Sequence, residues 1–315
     1  MTAKFGYLLP TREYIMRNIR ETKPLITLAK RADTLGYDSI WVGDSLFARP
    51  RHEPLTFLSS LTGHVQQASI GTAVLLPALR NPVLLAHQVA TLDRLSEGRL
   101  ILGVGIAADV ANVREEFIVA GVPFEKRGAR MVESIKLCQA LWSGKTISWD
   151  GFWKIKDLNL GLTPHTSGGP SVWIGGSGPL TLQRAGSEFD GWFPTGPNSE
   201  SFSKGWEEVT RTATLEGRDP EALTGAVYLT ISVDDDESKA NGRIDAYLEE
   251  YYKQPAALMR KTQACFGGSI ENARGWINDY INRGATHIVL RFAGDPNQHL
   301  ECFSPMAFTD EHKKI

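Results

Sequence analysis

The sequence predicts a single (β/α)8 TIM barrel over residues 1–315, with an insertion between strands four and five. Three observations predict this fold class. Short apolar segments alternate with longer segments of helical periodicity, an order typical of parallel strands joined by crossover helices. A length of 315 residues suits one large α/β barrel. No GxGxxG segment follows the first strand, which disfavours the competing doubly wound open sheet.

Eight strands are predicted along the chain. Each is a short apolar run, as buried parallel strands are. They cover residues 5–9, 39–42, 69–76, 100–104, 172–174, 191–194, 226–233 and 287–292. Eight strands with helices between them are what a closed barrel requires.

Helical segments separate these strands, and several carry terminal signals. Pro82 suits the first turn of a helix and Gly36 a helix C-terminus, and Asp234–Asp236 cap a further helix. Helices are predicted at residues 24–35, 56–65, 82 to about 98, 110–119, 127–142, 179–187, 199–216 and 270–283.

The alternation of strands and helices is interrupted between strands four and five. Residues 146–155 predict a small hairpin turned at Asp150-Gly151, and residues 158–169 predict an irregular loop. This stretch is the predicted insertion.

Composition excludes several classes of protein. The chain carries 34 Lys and Arg against 36 Asp and Glu, a net charge of −2, which gives no indication of a nucleic-acid or membrane partner. No apolar run follows a basic start, and no stretch of about 18 apolar residues occurs. We therefore expect a cytoplasmic protein without a signal peptide or membrane span.

The histidines and cysteines show no metal-ligand pattern. Neither HxH nor HExxH occurs among the seven histidines, and the three cysteines are far apart. No metal is expected, and the cysteines are predicted to be free thiols. The absence of a GxSxG motif disfavours nucleophilic acyl transfer.

The strongest chemical signal follows strand five, because active sites of such barrels lie at the C-terminal ends of the strands. The segment Gly175-Gly176-Ser177-Gly178 precedes Pro179 at a predicted helix start. Glycines allow close backbone approach, and free N–H groups at a helix N-terminus attract anions. The segment predicts a phosphate site, and the alternative is a tight turn with a Ser cap.

Other strand ends carry weaker candidates. Asp44 ends strand two and is predicted to act as a general base or as an acceptor for a ring N–H, unless it only caps the next loop. Arg12 and Arg291 could pair with an acidic substrate or be ordinary surface arginines. Gly103-Val104-Gly105 could let a ligand ring approach strand four or serve only close strand packing.

Several segments together resemble the bacterial luciferase-like family of flavin- or deazaflavin-dependent oxidoreductases. The likeness covers residues 1 to about 200 in family order, and the last third matches only in its strand–helix rhythm. The matching segments are YDSIWVGD at 37–44, IGTAVLLP at 70–77, HQVATLD at 87–93, SEGRLILGVG at 96–105, GVPFEKRGAR at 121–130, VWIGGSG at 172–178 and DGWFP at 190–194.

The resemblance implies a cofactor lying across the strand ends. In the family, a non-prolyl cis peptide after strand three supports the isoalloxazine ring, and here it would be Ala73–Val74. The phosphate grip would be Gly176, Ser177 and Gly178. The full predicted cofactor set is Tyr7, Asp44, Thr72, Ala73, Val74, Gly105, Gly175, Gly176, Ser177 and Gly178, and the predicted substrate pocket is Arg12, Phe47 and Trp192.

Two departures from the family pattern affect the chemistry. Ser45 stands where luciferases and several deazaflavin enzymes have His, and Ile106 and Ala107 stand where luciferase has Arg. The candidate catalytic residues are therefore Asp44 and Ser45.

Three functions fit this pattern. The favoured hypothesis is a monooxygenase that uses reduced FMN and O2 on a small organic substrate, in which case a separate flavin reductase is a candidate partner. The alternative is a hydride-transfer enzyme that uses the deazaflavin coenzyme F420. A non-catalytic flavin-binding protein is the third. The resemblance also favours a homodimer.

Overall fold

Eleven strands and twelve α-helices make up the fold in a computed structural model, which describes residues 3–305. The strands are β1 Lys4–Leu8, β2 Ser39–Val42, β3 Ser69–Thr72, β4 Leu100–Val104, β5 Ile147–Asp150, β6 Lys154–Leu158, β7 Ser171–Ile174, β8 Gly191–Trp192, β9 Thr224–Val233, β10 Cys265–Gly268 and β11 His287–Phe292.

Most helices lie between successive strands. They are α1 Thr11–Met16, α2 Lys23–Thr34, α3 Pro54–Leu61, α4 Pro82–Leu95, α5 Ala111–Val119, α6 Arg127–Trp142, α7 Pro179–Glu188, α8 Ser199–Leu215, α9 Glu237–Tyr252, α10 Ala256–Met259, α11 Ile270–Asn282 and α12 Pro296–Cys302, with 3-10 turns at Pro77–Leu79, Phe124–Lys126 and Pro220–Ala222. Asp236 caps α9 by accepting from the N–H groups of Ser238 and Lys239.

Eight parallel strands close into a ring, which confirms the predicted barrel. The order is β1, β2, β3, β4, β7, β8, β9 and β11, and β11 pairs back onto β1. Closure depends on a short contact in which Gly191 and Trp192 pair with Thr224 and Gly225. All C-terminal strand ends therefore open at one mouth.

The predicted insertion is also confirmed. Between β4 and β7, strands β5 and β6 form an antiparallel hairpin in which Asp150 pairs with Lys154. Residues 159–170 are irregular.

Two strand predictions were wrong. Strand three, expected to reach residue 76, ends at Thr72; beyond it the peptide bond Ala73–Val74 is cis and Leu75 makes only an isolated bridge to Val104. Strand β10 was missed, and it pairs with the C-terminal half of β9. Its sequence CFGG ends in two glycines, which are depleted in strands, so no local strand signal was present.

The barrel interior is filled by aromatic rings rather than open. The Trp41 ring centroid lies 5.2 Å from the centroids of both Trp173 and Phe193. Glycines on neighbouring strands make room for these rings: a Cβ added to Gly71 would lie 2.5 Å from Trp41 Cζ3, and one added to Gly6 2.5 Å from Trp41 Nε1. The floor of the barrel is therefore solid below the mouth.

His287 lies buried on this floor. Its Nε2 is 2.6 Å from Ser39 Oγ, which accepts a hydrogen bond from Trp41 Nε1. Burial, with a smaller contribution from Lys4, lowers the pKa of His287 to about 3. The imidazole is therefore neutral in the folded protein near neutral pH.

Among residues 3–305, no helix combines the length and the apolar character that crossing a membrane requires.

The packing against Trp41 can be tested with Gly71→Ala. The added methyl group would overpack the floor, and we expect the free energy of unfolding in urea to fall by about 1–3 kcal/mol. Gly242→Ala is the matched control, because Gly242 lies within α9 with nothing within 4 Å of an added Cβ. That change should raise stability by about 0.5–1 kcal/mol. Equal effects of the two substitutions would contradict this account of the floor.

His287 should also leave a signature in the pH dependence of stability. Because its folded-state pKa is about 3, the unfolded chain takes up a proton below pH 6.5 that the folded chain does not. The free energy of unfolding should therefore decrease as pH falls from 6.5, by up to about 1.4 kcal/mol per pH unit, and should not depend on His287 above that pH.

Urea unfolding between about pH 7 and pH 5 measures this slope, in a range above the usual carboxylate pKa values. We expect His287→Gln to have a shallower slope than the wild type, whereas His64→Gln at an exposed position keeps the wild-type slope. The pKa of His299 is also lowered by burial, and His299 adds the same pH dependence to the wild type and to both variants. The same slope in wild type and His287→Gln would show that the buried imidazole is not responsible.

Candidate active site

The turn Gly175–Gly178 lies at the mouth, between β7 and α7. The Gly175 N–H donates to the Val104 carbonyl oxygen at 2.8 Å and so continues the barrel ladder. Gly176 then has a φ of +115°, a conformation that favours glycine, and Gly178 is the N-cap of α7.

The amide groups of this turn face outward. Residues 176–178 are exposed, and no acceptor within residues 3–305 takes the N–H groups of Gly176, Ser177 or Gly178. They stand at the N-terminus of a ten-residue helix, where the helix dipole is positive. The turn therefore has the donors and the field that bind an anion such as a phosphate.

Trp192 supports the turn from behind. Its Nε1 donates to the Gly176 carbonyl oxygen at 2.7 Å, and its ring stacks on Phe202 of α8 with centroids 5.3 Å apart. A Cβ added to Gly205 would lie 2.2 Å from this indole, so only glycine fits there. The structure thus places Trp192 in the packing between β8 and α8 rather than on the open side, where the substrate pocket was expected.

The predicted ring support lies next to the turn. The Ala73–Val74 peptide bond is cis, as the family resemblance implied. The Val74 side chain lies between two glycines: a Cβ added to Gly105 would be 2.6 Å from its Cγ2, and one added to Gly175 would be 3.2 Å from its Cγ1. Thr72 Oγ1 donates to the Gly103 carbonyl oxygen at 2.7 Å and fixes the neighbouring strand end. The structure therefore brings Thr72, Ala73, Val74 and Gly105 together with the turn.

Both carboxylate oxygens of Asp44 accept hydrogen bonds from neighbouring groups. Its carboxylate accepts from Arg80 Nη1 at 2.5 Å, from Arg80 Nη2 at 3.1 Å and from the Leu76 N–H at 2.9 Å, and 3% of its side chain is exposed. Burial alone would lower the pKa of Arg80, but Asp44 and Glu53 raise it above its usual value. In this arrangement Asp44 ties the end of β2 to the segment after β3, and its catalytic role stays a prediction.

Ser45 is likewise part of a hydrogen-bonded loop. Its hydroxyl donates to Glu116 Oε1 at 2.6 Å, and the same oxygen accepts from the N–H groups of Phe47 at 2.7 Å and Ala48 at 2.8 Å. Glu116 is buried on α5, and its Oε2 is buried without a hydrogen-bond partner in the described chain. Phe47 is 42% exposed at the rim of the mouth.

Sequence reasoning missed Glu116. It lies on a helix among other charged residues, and no local signal distinguishes it from Glu115. Only the folded loop 45–48 shows that its carboxylate is a shared acceptor.

The opposite half of the mouth is lined by large side chains. Arg12 and Arg291, both predicted candidates, are buried there, and Tyr7 is buried beneath them with its ring 5.4 Å from that of Phe292. Their neighbours come from the loop after β2, from β9 and from α9. We call the whole set the arginine–tyrosine cluster: Arg12, Arg49, Arg51, Arg291, Tyr228, Tyr247, Tyr251 and Tyr252.

Comparison with known proteins agrees with this architecture. A model described as luciferase-like monooxygenase matches residues 3–303. The chain belongs to this family.

Similar proteins include several enzymes named for coenzyme F420. The F420-dependent glucose-6-phosphate dehydrogenase of Mycolicibacterium fortuitum is 29% identical over 329 residues, with 95% of each chain covered. Among solved structures, an F420-dependent secondary alcohol dehydrogenase in complex with an F420–acetone adduct has a TM-score of 0.81 at 20% identity, covering 96% of this chain and 98% of that one.

A second solved structure has the same fold. The coenzyme F420-dependent tetrahydromethanopterin reductase from Methanopyrus kandleri gives a TM-score of 0.79 at 18% identity, covering 98% of this chain and 99% of that one. At such identities the two structures establish the fold alone.

The family prediction is thus confirmed, and this luciferase-like protein is an oxidoreductase of that family. The relatives' names favour the deazaflavin alternative over the FMN monooxygenase that was preferred from the sequence. Within residues 3–305, no three His, Cys, Asp or Glu side chains are grouped so as to hold a metal ion.

The support of the turn by Trp192 can be tested with Trp192→Phe. This change keeps an aromatic ring against Phe202 but removes the donor to the Gly176 carbonyl. We expect the free energy of unfolding to fall by about 1 kcal/mol. Amide hydrogen exchange should become faster at Gly175, Thr181 and Leu182, whose N–H groups are hydrogen-bonded at the two ends of the turn.

Trp206→Phe is the matched control. Trp206 also stacks on Phe202, with centroids 6.4 Å apart, but its indole N–H has no hydrogen-bond partner in the described chain. Exchange at Gly175, Thr181 and Leu182 should stay at the wild-type rate in this variant. Faster exchange in the control than in Trp192→Phe would show that packing, not the hydrogen bond, holds the turn.

Proposed function

We propose that this luciferase-like protein is a hydride-transfer oxidoreductase that uses coenzyme F420 with a small-molecule substrate. The observation that carries the proposal is the turn 176–178, whose three outward N–H groups stand at the N-terminus of α7. A phosphate is the anion that such a turn binds best, and coenzyme F420 and FMN both carry one.

The residues at the mouth fit a phosphate-bearing ring cofactor. Gly176, Ser177 and Gly178 would hold the phosphate. Val74 would support the ring. Gly105 and Gly175 on either side of it have no side chains to occupy the space around Val74. The aromatic floor of Trp41, Trp173 and Phe193 excludes water from below.

The choice of the deazaflavin over FMN rests on the relatives. The dehydrogenase of Mycolicibacterium fortuitum matches almost the whole chain, and its name specifies F420. When bound, a deazaflavin supplies two-electron hydride transfer, for which the protein provides binding and orientation. This chemistry needs neither O2 nor the flavin reductase that the FMN hypothesis allowed.

Asp44 and Ser45 have a positioning role in this proposal. Asp44 holds the segment after β3 through Leu76 and Arg80, and Ser45 holds the loop 45–49 through Glu116 and the Arg49 N–H. Both therefore shape the mouth beside Val74. The homodimer expected from the family resemblance stays a prediction.

Cofactor titration of the purified protein tests the proposal. We expect F420 to bind at least about tenfold more tightly than FMN, a difference of about 1.4 kcal/mol. Ser177→Asp would place a carboxylate against the phosphate, and we expect it to weaken F420 binding at least about tenfold through charge repulsion.

Ser177→Ala is the control and should change F420 affinity by less than about threefold, because the turn binds mainly through its backbone. Tighter binding of FMN than of F420 would overturn the choice of cofactor. Unchanged F420 affinity in Ser177→Asp would assign the phosphate to another loop.

A further inference from the structure

The arginine–tyrosine cluster is centred on Tyr251. The guanidinium carbons of Arg12 and Arg291 lie 4.4 Å and 4.7 Å from the centroid of its ring. Arg51 Nη2 is 3.1 Å from its hydroxyl oxygen. One tyrosine side chain therefore contacts three cations.

Tyr252 joins a fourth arginine to the cluster. The guanidinium carbon of Arg49 lies 5.1 Å from its ring centroid, and Arg291 Nη1 is 3.2 Å from its hydroxyl. The remaining donors of Arg291, Nε and Nη2, both bond to Thr230 Oγ1, at 3.0 Å and 2.8 Å. All side-chain hydrogen bonds of Arg291 within the described chain thus go to neutral hydroxyl groups.

No carboxylate forms an ion pair with these four cations in the described chain. Within residues 3–305, no Asp or Glu oxygen lies within 4.0 Å of a side-chain nitrogen of Arg12, Arg49, Arg51 or Arg291. Glu13, whose charge acts on Arg12 and Arg51, accepts a hydrogen bond from the Tyr247 hydroxyl. Rings and hydroxyls solvate a guanidinium only partly, and a buried cation without a partner is strongly unfavourable.

Arg12 also has an unsatisfied donor. The residue is 5% exposed, and its Nη1 is buried without a hydrogen-bond partner in the described chain. Its Nε has only the Met16 sulfur at 3.4 Å. Buried polar atoms normally have partners, so this nitrogen is suited to an incoming acceptor.

Neighbouring positive charge lowers two pKa values in the cluster, whereas, against the effect of burial, tyrosines raise the pKa of Arg291 and, together with Glu13, that of Arg51. Burial, together with Arg51 and Arg49, lowers the pKa of Arg12. Burial by itself would raise the pKa of Tyr251, but Arg51, Arg291 and Arg12 outweigh it and lower that pKa below its usual value. An anion bound here would relieve both effects.

Two small clefts reach the edge of the cluster. The first is lined by Arg291, Tyr247 and Glu13, and the second by Tyr251, Tyr247 and Glu13. On the other side, Arg51 lies directly against Gly43, where an added Cβ would be 1.8 Å from its Nη1 and 3.4 Å from the Ala73 carbonyl oxygen. The cluster therefore borders the strand end that precedes Val74, across the mouth from the turn 176–178.

We propose that the arginine–tyrosine cluster binds an anionic group, a carboxylate or a phosphate, that the substrate carries. The inference rests on the proposed function, because the anion would anchor a substrate beside the cofactor. Planar guanidinium groups bind both oxyanions with paired hydrogen bonds, which makes several arginines around one point an oxyanion site. The hydroxyl of Tyr251 adds a further donor, whereas the Tyr252 hydroxyl donates to Gln263 Oε1 at 2.8 Å.

Calorimetric titration with inorganic phosphate, at constant ionic strength in chloride, tests the site directly. We expect the wild type to bind phosphate in a saturable phase that Arg12→Gln weakens at least about tenfold. Ser177→Asp, which blocks the separate anion site at the turn 176–178, should leave this phase unchanged. Because Arg12→Gln also removes a repelled cation, its melting temperature without phosphate should equal or exceed that of the wild type. A purely structural arginine would instead lower it.

A second variant and a matched control complete the test, including the case in which Arg12→Gln fails to fold. Arg49→Gln is the second variant, and it should also weaken phosphate binding. Arg114→Gln is the matched control, since this exposed arginine pairs with Asp109 and Glu125 and should leave phosphate affinity unchanged. Absence of phosphate binding to the wild type, or equal binding by all variants, would overturn the inference.

A second arm identifies the source of the anion. Glycerol 3-phosphate and lactate, which carry the group on a small alcohol, are compared with inorganic phosphate. Tighter binding of either compound supports a substrate-borne group, whereas equal or weaker binding of both assigns the site to a free ion and overturns the substrate assignment.

F420 titration is run on the same proteins. Normal F420 binding without phosphate binding would reject only this inference, whereas phosphate binding without F420 binding would reject the proposed function.

Discussion

Closure of the barrel at β8 and β9 is the constraint on which the rest of the structure depends. Gly191 and Trp192 of β8 pair with Thr224 and Gly225 of β9, and the Pro194 carbonyl oxygen just beyond them accepts from the Tyr228 N–H. The C-terminal half of the same β9 edge pairs with β10. The long strand β9 thus completes the ring near its start and holds an extra strand near its end. Without that short contact, the strand ends would not form a single mouth.

Closure also links the floor to the site. Trp192 belongs to the closing strand, and its indole N–H holds the Gly176 carbonyl. The interior rings of Trp41, Trp173 and Phe193 fill the space below, so the polar groups of the mouth face upward from a rigid apolar base. Backbone N–H groups at a helix N-terminus form one positively charged region of the mouth. Guanidinium groups from α1, from the loop after β2 and from β11 form the other.

Local sequence patterns identify one of these two regions but not the other. The turn 175–178 is visible because consecutive glycines, a serine and a helix-starting proline carry a local meaning. The arginine–tyrosine cluster has no such local pattern, although Arg12 and Arg291 were both candidates to pair with an acidic substrate. Its tyrosines lie on α9, where Tyr247, Tyr251 and Tyr252 resemble the buried face of any amphipathic helix. Likewise, nothing local to Asp44 indicates that Arg80, 36 positions later, occupies its carboxylate.

Local pattern alone decided the alternation of strands and helices, the hairpin insertion and the phosphate-type turn, because periodicity, turn chemistry and helix capping act over a few residues. Folding decided which side chains share a space. It placed Trp192 behind the turn, engaged Asp44 and Ser45 in structural hydrogen bonds and gathered four arginines that form no ion pair with a carboxylate in the described chain. Partners in such contacts are tens to hundreds of residues apart, as with Arg51 and Tyr251, which are 200 positions apart, so only the closed ring of strands brings them together.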